Sequence, residues 1–200
     1  WTAQVHEFGF ANHNFFWEGK EAGKWSDDAL WLHQAVGRYV RLTGDLSILD
    51  EKVSVAGAAP GTTRSVYETL AAAVRYSAEI SVGRHGITLL DLADWNDCLK
   101  LDRNYRPGPE KERIWRETGK YESDGTESVM NGFLAVLAVK ELRSLALRKN
   151  DGERAAWLSG LCETMTGNLR KHAWKKGTYA RVLFNQYPGF EYAGADGDGI

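Results

Sequence analysis

Gly132-Phe133-Leu134-Ala135-Val136-Leu137-Ala138-Val139 is a run of eight residues without one polar side chain. At helical period such a run has no face to turn to water, so it predicts a helix buried on all sides. That helix is expected to begin near Ser123–Glu127. The next long segment, Gly152 to about Trp174, gathers Leu158, Leu161, Cys162, Met165, Leu169 and His172 on one stripe and leaves charges elsewhere. It predicts an amphipathic helix on an outside, with His172 as a satisfied core histidine. Upstream, Ser26 reads as an N-cap, with Asp27 and Asp28 in a first turn that suits carboxylates. Ala29, Leu32, Val36 and Tyr39 follow at helical spacing, and Gly44 stops the helix. Arg64 to about Val82, with Val66, Leu70, Val74 and Ala78, gives a further amphipathic helix. The fold class is therefore mostly α, with buried and amphipathic helices alternating as two concentric layers would require.

The connections are long. Residues 1–25 interleave Phe8, Phe10, Phe15, Phe16, Trp17 and Trp25 with Gly, Asn and His without sustained period, and read as an aromatic loop lining a pocket or covering core. Residues 53–63 read as a Gly/Ala/Pro connection. Residues 101–121, with Pro107-Gly108-Pro109 inside, read as an excursion loop with one helical turn near Glu110–Arg116. Thr178 to Phe184 reads as one short strand near the C-terminus, and 189–200 as loop.

Composition limits the partners. The 200 residues carry 25 Lys and Arg against 27 Asp and Glu, a formal charge of −2 with no basic stripe, so nucleic acid is not expected. No window approaches the roughly 18–20 apolar residues of a membrane span, and no secretion signal opens the chain. Two cysteines far apart offer neither a disulfide framework nor a zinc site, and His6, His13 and His33 lack ligand spacing, so no metal is expected. The expectation is a soluble, cytoplasmic protein. A start at Trp1 and an end in a Gly/Asp-rich run read as a piece of something longer.

Chemistry concentrates in Leu92-Ala93-Asp94-Trp95-Asn96-Asp97-Cys98, three residues beyond which Leu101-Asp102 closes the same context. Two carboxylates, an indole and an amide at adjacent positions suit a sugar, which needs hydrogen bonds at its edges and an aromatic ring under its C–H faces. A carboxyl beside Trp95 and Leu92 is desolvated, which raises its pKa and lets it keep a proton as a general acid. Asp94 reads equally well as a cap on a following helix. Asp27 and Asp28 are either helix-terminal acids or groups that face sugar hydroxyls. Glu127 is either an N-terminal helix acid or a carboxylate at a sugar-binding end.

Four segments occur together and in order: Trp25-Ser26-Asp27-Asp28-Ala29-Leu30-Trp31-Leu32; Thr43-Gly44-Asp45 with Leu49-Asp50-Glu51; Ala93-Asp94-Trp95-Asn96-Asp97; and Glu127-Ser128-Val129. With them the chain resembles the glycoside hydrolase family 94 phosphorylases over residues 6–200, and the context 92–102 is most similar to the family's cellodextrin-acting branch. The resemblance implies that residues 1–200 are a single, partial catalytic domain, part of an (α/α)6 barrel. It implies inverting phosphorolysis of a β-gluco-oligosaccharide to α-glucose 1-phosphate, with Asp97 as general acid, Trp95 against the sugar and Asn96 holding the acid loop. Asp27, Asp28 and Glu127 are carried over as substrate-binding positions. No cofactor is implied. Inorganic phosphate is the co-substrate, and being an anionic nucleophile it needs no base. A homodimer is the assembly common in the family. The family's arginine-bearing donor motif falls before the matched residues and its phosphate-binding elements fall after them. Three other readings stay open: a phosphorylase of β-1,3 or β-1,2 linkages, an inverting hydrolase with Asp94 or Glu127 as base, and a non-catalytic glucan-binding domain.

Overall fold

The computed structural model describes residues 1–16, 19–21, 25–92, 108–118, 124–185 and 189–196. In chain order these form β1 (Asn14–Phe16), β2 (Gly19–Glu21), α1 (Asp28–Thr43), β3 (Lys52–Ser54), β4 (Thr63–Ser65), α2 (Val66–Arg75), β5 (Leu89–Asp91), α3 (Pro109–Thr118), β6 (Asp124–Ser128), α4 (Val129–Arg148), α5 (Gly152–Asn168), β7 (Trp174–Lys175), β8 (Thr178–Tyr179), β9 (Val182–Leu183) and β10 (Tyr192–Ala193). The chain is mostly α, with α1/α2 and α4/α5 as two antiparallel helical pairs.

Local signals set the helix ends. Gly44 takes the left-handed C-cap conformation, and its N–H donates to the Val40 carbonyl. Ser65 caps α2 by accepting from the Glu68 N–H at 3.1 Å, and Ser128 caps α4 by accepting from the Asn131 N–H at 3.1 Å. Asp151 caps α5 through the Arg154 N–H at 3.0 Å and also accepts from Tyr67 Oη at 3.0 Å. Burial first, and that bond second, push the Tyr67 phenol up to about 12. Ser26, read from sequence as the cap of α1, is displaced from that role by Asp27; its hydroxyl instead accepts from Asn131 Nδ2 at 2.5 Å.

The core lies between the pairs. α4 packs on α5, α1 and α2, burying Leu134, Ala135, Val136, Ala138, Val139, Leu142, Leu145 and Ala146. Fully burying one Leu or Val contributes about 1.5–3 kcal/mol, so this one helix carries much of the hydrophobic stabilisation. The expectation that it is buried all round needs correction. Phe133 is 38 % and Leu137 49 % exposed, one turn apart on the side that the three neighbouring helices leave uncovered.

Other expectations change as well. The N-terminal stretch is not structureless, since β1 and β2 pair antiparallel and the bridges Val5↔Ala11 and Ala11↔Trp25 fold it back on itself. Gly9, at φ +110°, lets it lie on α2: a Cβ there would sit 2.1 Å from the Ala72 carbonyl oxygen. The connection 53–63 is a hairpin of β3 and β4. α2 stops at Arg75 and continues as a π-helical turn over Tyr76–Ile80. The one helical turn expected near Glu110–Arg116 is the ten-residue α3, with Pro109 at a first position that lacks an intrahelical N–H partner anyway. α4 begins at Val129, because residues 124–128 are drawn into a four-stranded antiparallel sheet of order β10-β9-β6-β5. The single strand expected at 178–184 is two: β8 pairs with β7 in a hairpin, and β9 lies in that sheet. β10 completes it within the stretch read as loop.

His33 ties the first pair together. It is fully buried on α1, with Nε2 3.0 Å from the Leu70 carbonyl of α2 and Nδ1 3.1 Å from that of Leu30. Burial holds the ring below its ordinary value of 6.5, outweighing both carbonyls. Above that value the ring is neutral folded or unfolded. As pH falls, the unfolded ring binds its proton first and stability is lost toward the folded value. Urea unfolding at pH 7 to 5 is expected to show a loss of at most about 1.4 kcal/mol per pH unit from this group. His33→Gln should flatten the slope, and an unchanged slope would show that His33 is not its source.

Candidate active site

α1 and α4 run parallel: Ser26 meets Asn131 at their N-terminal ends, and toward their other ends Arg41 pairs with Glu141 and Arg148 reaches the Val40 carbonyl. α2 and α5 run the opposite way, with Tyr67 and Asp151 joined at the far end and Asn168 bonded to the Gly86 carbonyl at the near end. The near end therefore combines the N-termini of α1 and α4, the C-terminal turns of α2 and α5, and the four-stranded sheet. Of the acidic residues singled out from sequence, Asp27, Asp28 and Glu127 sit here.

Asp27 and Asp28 are both buried. Asp27 Oδ2 accepts from Trp31 Nε1 at 3.0 Å, and Asp28 Oδ2 lies 2.9 Å from His13 Nδ1, whose ring stacks on Trp25 at 4.1 Å. The first turn of α1 is thereby fastened to the N-terminal aromatic stretch. A helix N-terminus favours these anions electrostatically.

Glu127 is on β6, not in a helix, and it is fully buried. Oε1 accepts from the His85 N–H at 3.0 Å and the Ile87 N–H at 3.1 Å, while Oε2 lies 2.5 Å from His85 Nδ1. Its carboxylate thus closes the turn between α2 and β5. Gly83 is required by the same approach, since a Cβ there would fall 2.3–2.6 Å from the Glu127 side chain. His172, expected inside the core, is half-buried with its ring 4.8 Å from that of His85. Burial, then the charges of His85 and Lys171, hold His172 below its ordinary value. Among the described residues no group of three or more His, Cys, Asp or Glu side chains is arranged to hold a metal ion. Among them no helix is long and apolar enough to cross a membrane.

Asp94, Trp95, Asn96 and Asp97 lie outside the described residues. The strand that leads to them does not. β5 buries Leu89 and Leu90 and ends at Asp91, which is also buried and has φ +52°.

The catalytic-domain profile of the Glycosyl hydrolase 94 superfamily matches residues 16–189. The chain belongs to this superfamily. Its match takes in the Asp94-Trp95-Asn96-Asp97 segment, the Ser26-Asp27-Asp28 turn and Glu127. An N,N'-diacetylchitobiose phosphorylase of Vibrio proteolyticus is 35% identical over 167 residues, covering 79% of this chain, and that of Vibrio furnissii is 31% identical over 160 residues with the same coverage. A solabiose phosphorylase of Paenibacillus borealis is 33% identical over 97 residues, 48% of this chain and 12% of the relative. The chain spans 17% of the length of each Vibrio relative. Its helical pairs are the units of which the (α/α)6 barrel of family 94 catalytic domains is made.

One further group of buried polar side chains gathers at the end of β5. Asp91 Oδ2 accepts from Tyr76 Oη at 2.9 Å and Ser81 Oγ at 2.8 Å; Oδ1 accepts from Lys111 Nζ, which also donates to Ser81 Oγ at 2.9 Å. Lys111, on α3, is 1 % exposed and lies over the Trp115 ring at 5.9 Å. Burial pulls its ammonium below the ordinary lysine value against the opposing pull of Asp91. In Glu110-Lys111-Glu112-Arg113 nothing in the charge pattern distinguishes this lysine from its solvated neighbours. The readable signal was the other partner, an aspartate ending the apolar run Ile87-Thr88-Leu89-Leu90.

Proposed function

We propose that the protein containing this chain is an inverting, glycosyltransferase-type phosphorylase that splits β-linked gluco-oligosaccharides of the cellodextrin type. It uses inorganic phosphate as co-substrate and releases α-glucose 1-phosphate and a shortened oligosaccharide. The observation that carries this reading is the Asp94-Trp95-Asn96-Asp97 segment inside the family 94 match, together with relatives named as phosphorylases. Asp97 donates its proton to the glycosidic oxygen as that bond breaks, while a phosphate oxygen bonds to the anomeric carbon from the opposite face. The nucleophile arrives as an anion, so one protein carboxyl suffices. Trp95 abuts the sugar at the scissile bond, Asn96 holds the acid loop, and Asp27 and Asp28 hold sugar hydroxyls at the N-terminus of α1. Glu127 supports the sugar-binding end by fixing the turn that precedes β5. The reaction needs no further cofactor and no metal, the assembly is a homodimer, and the location is the cytoplasm, where phosphate is plentiful.

The identity to the two Vibrio relatives favours a second reading, in which the sugar carries N-acetyl groups. Incubating the full protein with cello-oligosaccharides or N,N'-diacetylchitobiose, with and without phosphate, separates the readings. Phosphate-dependent release of α-glucose 1-phosphate from the former is the expected result. Turnover of the chitobiose alone would shift the substrate to the second reading, and free sugar released equally well without phosphate would overturn phosphorolysis.

A further inference from the structure

We infer that the Asp91–Lys111 ion pair, braced by Ser81 and Tyr76, is a positioning clasp for the general acid, a role that rests on Asp97 being that acid. Asp91 is the last residue of β5, six positions before Asp97, and Lys111 stands in the first turn of α3, so the pair joins the two ends of the segment that bears the acid. The partners are 20 positions apart in sequence and both are almost fully buried. Burying an ammonium and a carboxylate is costly unless both are paired and their remaining hydrogen-bonding capacity is met. Here the capacity is met by design of the site: the Ser81 hydroxyl donates to one carboxylate oxygen and accepts from the ammonium, while Tyr76 donates to the same oxygen.

Two further features separate the clasp from a generic buried pair. Asp91 holds φ +52°, in the left-handed region that non-glycine residues adopt at a cost, so the chain leaves β5 in a fixed and unusual direction. The bracing groups come from the π-helical turn over Tyr76–Ile80 and the residue after it, hence from the end of α2 rather than from the acid segment. α3 is held in turn by Ile114, which clusters with Phe10 and Tyr76. The departure and return points of residues 92–110 are therefore both referred to the helical core. A general acid works only within hydrogen-bonding reach of the leaving oxygen, and displacement by about 1 Å can cost on the order of a hundredfold.

The test exploits leaving groups. An oligosaccharide needs its glycosidic oxygen protonated, whereas a dinitrophenyl β-glucoside departs unaided. Lys111→Met, the charge-neutral double variant Asp91→Asn/Lys111→Met and the mild variant Tyr76→Phe are made in the full protein and compared on both substrates. For the first two, kcat on the oligosaccharide is expected to fall roughly 10- to 100-fold with KM changed less than about threefold, while kcat on the dinitrophenyl glucoside stays within about threefold. Tyr76→Phe should show the same selectivity at roughly 3- to 10-fold. Loss of folded enzyme lowers both rates together, so equal losses on the two substrates, or no loss on either, would overturn the clasp. If Lys111→Met does not fold, the double variant decides, and if that also fails, Tyr76→Phe decides. A wild-type enzyme that turns over without phosphate would refute phosphorolysis instead, and the ratio of the two substrates would still report on the clasp.

Discussion

Asp97→Asn in the full protein is expected to lower kcat for phosphorolysis of the oligosaccharide by about 10²- to 10⁴-fold, the usual contribution of a positioned general acid. Asparagine keeps the size and most of the hydrogen bonds of aspartate but has no proton to give to the glycosidic oxygen. Substrate binding is little affected, so KM should stay within a few-fold while kcat and kcat/KM fall together, the pattern of an interaction made in the transition state. The same variant should recover much of its activity on an aryl glucoside whose leaving group needs no proton. The measurement is the release of α-glucose 1-phosphate in the presence of phosphate. A rate near that of the wild type would remove Asp97 from the mechanism and bring Asp94 forward.

Glu127→Ala is expected to destabilise the protein by roughly 2–4 kcal/mol, because it strands the buried Ile87 N–H and the half-buried His85 N–H and removes the partner of the His85 ring. Each unsatisfied buried donor costs about 1–3 kcal/mol. Glu127→Gln retains an oxygen for the two amides and should lose only about 1 kcal/mol. Denaturant unfolding of the two variants reads the difference, and sugar KM provides the control. If Glu127→Ala were as stable as the wild type but bound sugar many-fold more weakly, the carboxylate would be serving the substrate and not the turn.

These two residues also show what could be read in the chain before its structure. α1 and the bodies of α4 and α5 were legible because their information is local: apolar positions at helical spacing, and Gly44 at the end of α1. The strand bearing Glu127 was not, because Asp124-Gly125-Thr126-Glu127-Ser128 has no apolar alternation. It is a strand through pairing with β5 and β9, which come from distant parts of the sequence. α3 reads as no more than a single turn in sequence because Lys111, Ile114 and Trp115 are few buried anchors in a charged stretch that follows Pro107 and Pro109. In the candidate site, the family's motif was visible as chemistry in the sequence itself, and Asp27 and Asp28 were visible as helix-opening acids. Their partners His13 and Trp31, and the use of Glu127 to close a turn, follow from tertiary packing that no spacing rule encodes.

The parallel course of α1 and α4 has a consequence for how the chain acquires its fold. α5 follows α4 after only residues 149–151, whereas the contacts of α4 with α1 join positions 100 to 108 apart. Loop closure costs more entropy the longer the loop, so α4 and α5 can associate early while α1 docks late. During synthesis from the N-terminus, α1 must wait, with its α4-facing side still in water, until roughly a hundred further residues have emerged. The junction of Ser26 with Asn131, where the acids at the start of α1 take their places, is therefore among the last contacts to form, and the end of the fold that carries these acids is completed only when the fold is.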